Sequence, residues 1–386
     1  MNMWRNWSLL APIPLKVCNN TNVVGIINPD IEFKRELAKL SGAQLSQCMQ
    51  CGNCSAVCSL APEERPFPRK EMIWAGWGLK EKLIGNVDVW LCHQCGDCSS
   101  YCPRDVKPAD VISAIRQKTY LHYARPRFLA KLVSEPTLLP VAIAIPVVVI
   151  IGILSAAGTF KIPEGPVDYS AFFPHGWLNS TFSVITLIFY GLAFRGIGSF
   201  WKDMKLQTPP PGEMDGKLPV LKVLGEILSH SNFTSCGSRK KRAIAHMLVF
   251  FGFGLLILVT LYAIWASITH NYPLPFTNPF KLAGNLASLM IYLGLGIMVY
   301  ERIFNGKVFG KSGYSDWLLL VSIGLLTLSG TLVEFARFGN WSIAYHLYFF
   351  HLVAVWFVIM YLPFTKLGHI FYRTTALLYA RSIGRK

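Results

Sequence analysis

Six apolar segments of about 20 residues follow one another in the second part of this chain and limit its fold more than any other feature. A helix of that length crosses the hydrocarbon core of a bilayer with its backbone hydrogen bonds satisfied inside the segment. The composition agrees, because 52% of the 386 residues are hydrophobic and only 15% are charged. The segments span about 137–157, 178–200, 243–268, 282–303, 315–336 and 343–365. We therefore predict a transmembrane bundle of six helices over residues 136–386.

The distribution of positive charge predicts the orientation of this bundle. The loops after the even-numbered helices carry sixteen lysines and arginines, whereas the loops after the odd-numbered helices carry three. Positive residues concentrate on the cytoplasmic side of a membrane. We expect the N-terminal part, the polar insert 201–242 and the C-terminal tail to lie on the cytoplasmic side of the inner membrane. The net charge of +16 then reflects topology and contact with membrane lipid, and we expect no nucleic-acid partner.

Two cysteine runs distinguish residues 1–135, which contain no segment long enough to cross a bilayer. Both runs have the spacing C-x2-C-x2-C-x3-C of two-cluster ferredoxins, in which the fourth cysteine of each run ligates the other cluster. The first run is QCMQCGNCSAVCS and the second is LCHQCGDCSSYCP. We predict that one [4Fe-4S] cluster, cluster one, is held by Cys48, Cys51, Cys54 and Cys102. The other, cluster two, is expected on Cys92, Cys95, Cys98 and Cys58.

The segment between the runs favours a helical ferredoxin domain. It contains KEMIWAGWGLKEKL, in which helix formers and apolar residues recur at helical spacing. Gly52 and Gly96 each follow the second cysteine of a run and let the backbone pass close to a cluster. The whole chain is thus predicted to be all-α. Structural zinc is the competing interpretation of the cysteines, and Cys18 and Cys236 are expected to be incidental.

Histidines in or beside the apolar segments are candidate haem ligands, because ionisable groups inside a membrane are costly and usually functional. His246 begins the third segment and His369 follows the sixth, so both are expected near the cytoplasmic face as an inner pair. His351 would lie near the outer face. If the last helix is continuous through Pro363, His351 and His369 are five turns apart and share one face, whereas His346 does not.

The partner of His351 is open in the sequence. Leu256 stands ten residues after His246, where a second histidine on that helix would be convenient. His175, at the outer start of the second segment, is the first choice as the fourth ligand, and His270 is expected to lie too close to the outer surface.

Two segments resemble known families. HLVAVWFVIMYLPFTKLGHIFYRTTALLYARS resembles the last helix and tail of the gamma (cytochrome b) subunits of respiratory nitrate reductases. That resemblance implies haem b ligation by His351 and His369, and His246 in AIAHMLVFFGFG matches the first histidine of the family's other ligand helix. The family's second histidine on that helix is replaced here by Leu256. The cysteine domain is similar to the C subunits of heterodisulfide reductases.

A fusion of these two modules resembles the C subunits of quinone-interacting membrane-bound oxidoreductase complexes of sulfate reducers, over about 40–125 and 240–380. The resemblance implies two haems b, menaquinone and two flavoprotein partners similar to the A subunits of heterodisulfide reductases. It also implies adenylylsulfate reductase as the cytoplasmic electron partner. The chain would then be an electron-transfer component of a quinone-linked oxidoreductase, not catalytic alone.

Several interpretations remain open from the residues. The membrane half could be a haem-free anchor or a transporter component, or the cysteines could be zinc knuckles of an assembly factor. Glu334 and Arg337 are candidate proton carriers near the outer face, with an interfacial charge as the simpler role. Arg195 and the pair Glu301–Arg302 could bind haem propionates near the inner face, although snorkelling or ion pairing is the commoner outcome.

Overall fold

The computed structural model describes residues 28–61, 66–209, 218–230, 240–269, 273–305 and 312–385. Throughout these ranges the regular elements are helices, which confirms the predicted all-α fold. Cys18, Cys236 and His270 lie outside the described residues.

The N-terminal part is built from eight helices, most of them short. They are α1 (Ile31–Ser41), α2 (Asn53–Ala56), α3 (Arg69–Gly76), α4 (Lys80–Ile84), α5 (Val87–Leu91), α6 (Asp97–Ser100), α7 (Pro108–Tyr123) and α8 (Arg127–Ser134). Asp30 caps α1 by accepting a hydrogen bond of 2.8 Å from the Phe33 amide. Helix α7 begins with Pro108, and proline is favourable there because a backbone N–H at the first helical position has no partner within the helix. The longest helix, α7, packs against α1, α3, α4, α5 and α6 and so forms the spine of this part.

Six helices are long and apolar enough to cross a membrane. They are α9 (Leu139–Ala156, preceded by a 3-10 turn at Pro136–Leu138), α11 (His175–Gln207), α13 (Lys240–Ile268), α14 (Pro279–Phe304), α15 (Tyr314–Phe338) and α16 (Ala344–Tyr361, followed by a 3-10 turn at Leu362–Phe364). A four-residue helix, α10 (Tyr169–Phe172), precedes α11. The expected number of six such helices is confirmed, and each predicted segment overlaps one of them.

Helices α13 and α14 pack closely because small residues face each other. A Cβ atom on Gly252 would lie 3.0 Å from the Ala287 carbonyl oxygen, and one on Gly294 would lie 2.8 Å from the Ala245 carbonyl oxygen. Such contacts leave no room for a larger side chain and let two backbones approach, as is common between helices in membranes.

The described residues of the polar insert 201–242 are mostly helical. Helix α11 continues to Gln207 because Phe200 and Met204 are fully buried against the N-terminal part. The insert also contains α12 (Val220–Ser229), which packs on the C-terminal helix α17 (His369–Ser382). Arg381 donates two hydrogen bonds of 2.7 Å to the Glu226 carboxylate and holds these two helices together.

The last membrane helix is interrupted before His369. Helix α16 ends at Tyr361, two 3-10 turns cover Leu362–Phe364 and Lys366–Gly368, and α17 then begins at His369. Proline lacks an N–H and its ring clashes with the preceding turn, so Pro363 breaks the hydrogen-bond ladder. The shared face of His351 and His369, which required a continuous helix, is therefore not maintained.

The hydrophobic core continues across the boundary expected at residue 135. Trp90 stacks on Tyr372 of α17 with ring centroids 5.4 Å apart, and Phe200 of α11 meets the same tyrosine edge-on at 5.4 Å. Tyr123 donates a hydrogen bond of 2.6 Å to the Asp203 carboxylate. The N-terminal part thus packs against α17 and the C-terminal end of α11, so the two halves are mechanically joined.

A buried carboxylate, Glu71, lies inside the N-terminal part. Its side chain is 0% exposed and accepts hydrogen bonds from Asn86 at 3.1 Å and from the Lys70 ammonium at 3.1 Å. The same lysine binds Asp88 at 2.7 Å, and Arg385 near the C-terminus also binds Asp88. Burial raises the pKa of Glu71 to about 7. Burial also acts to raise the pKa of Asp88, but Lys70 and Arg385 outweigh it and hold this pKa below its usual value.

We expect Glu71→Gln to change how stability depends on pH. The folded protein keeps the Glu71 proton between the unfolded pKa near 4.5 and the folded pKa of about 7, so wild-type stability falls as pH rises through that range. The variant removes this loss, and its melting temperature relative to wild type should rise by a few degrees from pH 5 to pH 8. Thermal unfolding of the anaerobic, detergent-solubilised protein measures it. The exposed Glu81→Gln is the control, and a pH-independent difference for Glu71→Gln would contradict the prediction.

Candidate functional site

The two cysteine runs fold into similar loops. Gly52 and Gly96 have φ angles of 88° and 84° and immediately precede α2 and α6. Gln50 and Gln94, at matching positions in the runs, also have positive φ angles of 58° and 56°. Glycine adopts this conformation without steric cost, which is the reason for its position after the second cysteine. Helices α2 and α6 pack against each other and bring the two runs together.

Each run contributes three cysteines to one concavity and one cysteine to the other. The first concavity has an empty volume of about 390 Å³, and its cysteines are Cys48, Cys51, Cys54 and Cys102. The second has an empty volume of about 460 Å³, and its cysteines are Cys58, Cys92, Cys95 and Cys98. All eight residues are thiols without disulfide bonds. These are the two groupings that the ferredoxin spacing predicts.

Hydrogen-bond donors point at several of the sulfurs. The Gln94 amide lies 3.3 Å from the Cys92 sulfur and the Val106 amide lies 3.4 Å from the Cys102 sulfur. The Gln50 side chain donates to the Cys48 sulfur at 3.2 Å. Donors of this kind stabilise negative charge on sulfur and tune iron–sulfur clusters.

Burial disfavours ionisation of two of these thiols, Cys54 and Cys98. It raises the pKa of Cys54 to about 11, with further contributions from the neighbouring Cys48 and Cys51. Burial and the neighbouring Cys92 and Cys95 raise the pKa of Cys98 as well. Iron binds the thiolate form, so cluster binding would release protons from these thiols. The iron ions would then compensate the negative charge of the thiolates.

The two concavities differ in their exposure. Around the first, Cys51 is exposed, and so are Met49 and Tyr101, which keep 63% and 64% of their accessible surface. In the second, Cys92 is 8% exposed. The first concavity therefore faces solvent, whereas the second lies deeper, towards the membrane half.

Arginines connect the second concavity to the membrane half. Arg373 of α17 donates to the Cys92 carbonyl oxygen at 2.8 Å, and Arg242 of α13 donates to the Gln94 carbonyl oxygen at 2.9 Å. Arg116 of α7 donates to the same Cys92 oxygen at 2.5 Å. The loop of the second cysteine run is therefore held by two helices that each carry a candidate haem-ligating histidine.

Those histidines lie one helical turn from the arginines. His369 is four residues before Arg373, and His246 is four residues after Arg242, so each pair shares a helix face. His369 Nδ1 lies 2.9 Å from the Lys366 carbonyl oxygen. Burial lowers the pKa of His369 to about 4, and the imidazole is neutral at physiological pH. His246 lies within electrostatic range of His369.

A third histidine, His230, belongs to this group and was missed from the sequence. It follows α12, is 6% exposed, and its ring centroid lies 5.3 Å from that of His246. Sequence reasoning assigned the insert to a polar linker and did not consider its histidine. The amphipathic pattern of VLKVLGEILS was the signal that could have indicated a packed helix beside it.

The outer histidines are not brought together by the described contacts. His351 Nδ1 lies 2.9 Å from the Ser329 hydroxyl, and a Cβ atom on the adjacent Gly330 would lie 3.1 Å from the His351 ring. The ring therefore faces α15. Helix α11, which begins at His175, contacts α16 at Trp356 and Met360, roughly 140–180° around that helix from His351. His175 remains a prediction from the sequence.

The remaining charged candidates form local pairs. Glu334 binds Lys281 at 3.3 Å. Arg302 binds Asp316 at 3.1 Å, which is the ion pairing expected as the commoner outcome, and Glu301 accepts a hydrogen bond from Asn305 at 2.9 Å. Arg195 is exposed, consistent with a snorkelling side chain. His346 is also exposed and takes no part in either histidine group.

Comparisons with known proteins identify two regions in this chain. Residues 44–106 match the family model described as a 4Fe-4S dicluster domain, and residues 129–386 match the model for citrate utilization protein B. Citrate utilization protein B of Escherichia coli is 25% identical over 280 residues, which cover 69% of this chain and 73% of that protein.

Heterodisulfide reductase subunits are also similar. The C subunit of the H(2):CoB-CoM heterodisulfide,ferredoxin reductase of Methanothermobacter marburgensis is 33% identical over 98 residues, covering 25% of this chain and 52% of that protein. This chain thus spans about half the length of that relative. The E subunit of the dihydromethanophenazine:CoB--CoM heterodisulfide reductase of Methanosarcina thermophila is 27% identical over 210 residues, covering 49% of this chain and 75% of that protein.

No solved structure is significantly similar to this chain. The dicluster match agrees with the paired cysteine concavities, and the chain is an iron–sulfur electron-transfer subunit related to the C and E subunits of heterodisulfide reductases. The match over residues 129–386 covers more than half of the sequence and includes every membrane helix. The chain belongs to the family of citrate utilization protein B and carries a 4Fe-4S dicluster domain ahead of that region.

Proposed function

We propose that this chain conducts electrons between menaquinone in the inner membrane and cytoplasmic redox partners, with haem b and two [4Fe-4S] clusters as its carriers. One observation carries the proposal. The loop with Cys92 is hydrogen-bonded by Arg373 and Arg242, which lie one turn from His369 and His246. The candidate ligands of the two kinds of redox centre are therefore adjacent, and a passive anchor would not require this arrangement.

The cysteine concavities fit [4Fe-4S] clusters. Each offers four sulfurs, with backbone or side-chain donors aimed at some of them. A single zinc ion would draw its four sulfurs to about 2.3 Å from one point. Among the described residues no three His, Cys, Asp or Glu side chains converge in this way.

The inner histidines fit an axial role towards haem. Bonding of His369 Nδ1 to the Lys366 carbonyl oxygen favours the tautomer in which Nε2 is available to iron, and the neutral imidazole is the ligating form. Haem b would supply a one-electron carrier at this depth. His246 is the proposed second ligand. His230 is close enough to His246 for the assignment to need a direct test.

His351 is the proposed ligand of a second haem, at the outer site. His351 has its Nδ1 beside the Ser329 hydroxyl, which again leaves Nε2 for a metal. We retain His175 as the candidate for the fourth ligand. Glu334, held by Lys281, is retained as a candidate for proton exchange at a quinone site.

The exposure of the two concavities supports an order. The cysteines of cluster two lie next to the membrane helices, and those of cluster one open to solvent, where a soluble partner could approach. We propose residues 1–135 as a cytoplasmic ferredoxin domain and residues 136–386 as a haem b domain, with both termini in the cytoplasm. Two flavoproteins resembling the A subunits of heterodisulfide reductases, and adenylylsulfate reductase, are the proposed partners. The heterodisulfide reductase relatives support a complex of several subunits.

A second candidate follows from the match over residues 129–386. The same chain could exchange electrons with a soluble enzyme of citrate utilisation instead of adenylylsulfate reductase. The conducting residues would be unchanged, and only the partner at the solvent-facing concavity would differ.

The proposal is tested with the full chain purified anaerobically and placed in lipid nanodiscs. A reduced menaquinone analogue should generate the absorption bands of reduced haem b and the electron paramagnetic resonance signals of reduced clusters. A protein that contains iron and labile sulfide but no porphyrin, and that does not respond to quinol, would instead be a haem-free anchor. Zinc without iron or sulfide would overturn the cluster assignment.

The partner is tested separately, by mixing the reduced chain with adenylylsulfate reductase or with soluble enzymes of citrate utilisation. If adenylylsulfate reductase oxidises the reduced clusters within the mixing time, the result supports a role in sulfate respiration. Oxidation by an enzyme of the second group supports the alternative.

A further inference from the structure

Two guanidinium groups converge on the backbone of Cys92. Arg116 lies 2.5 Å and Arg373 lies 2.8 Å from the same carbonyl oxygen. Arg116 also donates to the Val89 carbonyl oxygen at 2.8 Å and to the Cys92 side chain. In the described part of the chain, neither arginine forms a salt bridge with a carboxylate.

Two like charges at one carbonyl are unfavourable without an anion. Burial and the neighbouring Arg116 lower the pKa of Arg373 to about 10, but it remains protonated at neutral pH. Partly buried charges need a partner of opposite sign, and a carbonyl dipole does not neutralise two of them. The arrangement therefore calls for negative charge close to Cys92.

Among the described residues, the other charged groups around this concavity do not supply enough negative charge. His93 also lines the concavity, but an imidazole is neutral or positive and supplies no negative charge. Asp97 also lines the concavity and contributes one negative charge at most. Arg381 is paired with Glu226, and Arg242 adds a further positive charge at the Gln94 carbonyl.

We propose that Arg116, Arg373 and Arg242 are the counter-charge of cluster two and hold its reduction potential above that of cluster one. This inference rests on the proposed function, because it requires a cluster on Cys58, Cys92, Cys95 and Cys98. A [4Fe-4S] cluster on four thiolates carries about two negative charges when oxidised and one more when reduced. Positive charges in a partly desolvated site stabilise the reduced form more than the oxidised form. One electron is added, no bond is broken and no proton is transferred.

The described residues around cluster one do not form an equivalent shell of buried positive charge. Arg69 and Arg104 line its concavity, but both side chains are exposed, and water and salt screen their charges. An electron arriving from the membrane half would therefore reside on cluster two. Passage to cluster one would then depend on the partner that docks at the solvent-facing concavity.

The test is a potentiometric titration of the anaerobic full chain, followed by electron paramagnetic resonance. The signal that disappears in Cys58→Ser identifies cluster two. Arg373→Gln should shift the midpoint of cluster two to more negative potential and leave cluster one unchanged. Arg373→Lys, which keeps the charge, should retain most of the wild-type potential. Arg104→Gln is the matched control beside cluster one and should move neither midpoint appreciably.

Three results would overturn the proposal: a cluster-two midpoint unchanged in Arg373→Gln and Arg116→Gln, an equal shift of both clusters, or an equal shift in Arg373→Lys and Arg373→Gln. If Arg373→Gln does not assemble cluster two, Arg242→Gln provides the second variant, with a smaller negative shift expected because it contacts only the Gln94 carbonyl. Absence of iron and sulfide from the wild-type chain would refute the proposed function itself. Full iron content with unmoved midpoints would refute only the counter-charge role.

Discussion

Replacement of His369 by alanine should remove the inner haem b from the purified chain. The His369 side chain is partly buried, neutral and oriented by the Lys366 carbonyl, and no neighbouring residue of α17 can replace its ring nitrogen. The absorbance of reduced haem b, measured per chain, should fall by the amount that one site contributes. His369→Leu is a second variant that has a similar volume but no ligating atom, and it tests whether the loss follows from the ligand rather than from an empty space.

His346→Ala is the control, because His346 is exposed near the start of α16, away from the inner histidines, and the variant should retain full haem. His246→Ala and His230→Ala decide which of the two neighbouring imidazoles is the opposite ligand. Loss in the first alone supports His246, and loss in the second alone moves the assignment to His230. Normal haem in the His369 variants would contradict the inner site.

Replacing the fourth cysteine of either run by serine should eliminate the cluster that the first three cysteines of the other run hold. Cys102→Ser should eliminate cluster one, although Cys102 belongs to the second run, and Cys58→Ser should eliminate cluster two. The reason is that each of these sulfurs lines the concavity of the other run's triplet. Each variant should lose about half of the iron and labile sulfide, since each cluster contributes about four irons.

The electron paramagnetic resonance signals of the two clusters distinguish this crossed ligation from an arrangement in which each run holds its own cluster. If Cys102→Ser removed the cluster held by Cys92, Cys95 and Cys98, each run would ligate its own cluster and the crossed assignment would be wrong. Cys236→Ser, outside both runs, is the control and should keep both clusters. Iron analysis and electron paramagnetic resonance on dithionite-reduced samples make the comparison.

Short-range features of the sequence were sufficient for the membrane helices. A stretch such as 137–157 can satisfy its backbone groups in a bilayer only as a helix, so length and hydropathy determine the element without knowledge of its neighbours. The break at Pro363 is also local, but its extent was not predictable, because two 3-10 turns separate α16 from α17.

The cysteine groupings were predictable for a different reason. The spacing within QCMQCGNCSAVCS limits three sulfurs to one side of a small loop and directs the fourth away. His230 was not predictable in this way. Its proximity to His246 depends on α12 packing against α17 through Glu226 and Arg381, residues separated by most of the membrane half.

The sequence by itself determined the all-α class, the six apolar spans and the sets of sulfurs, because each depends on residues close together in the chain. Only the tertiary structure decided that Arg116, Arg242 and Arg373 meet at the loop of Cys92 and Gln94, and that His230 joins His246. These contacts join positions more than 100 residues apart in some cases, and no periodic pattern encodes them. They form because Trp90, Phe200 and Tyr372 bury a common aromatic core between the two halves.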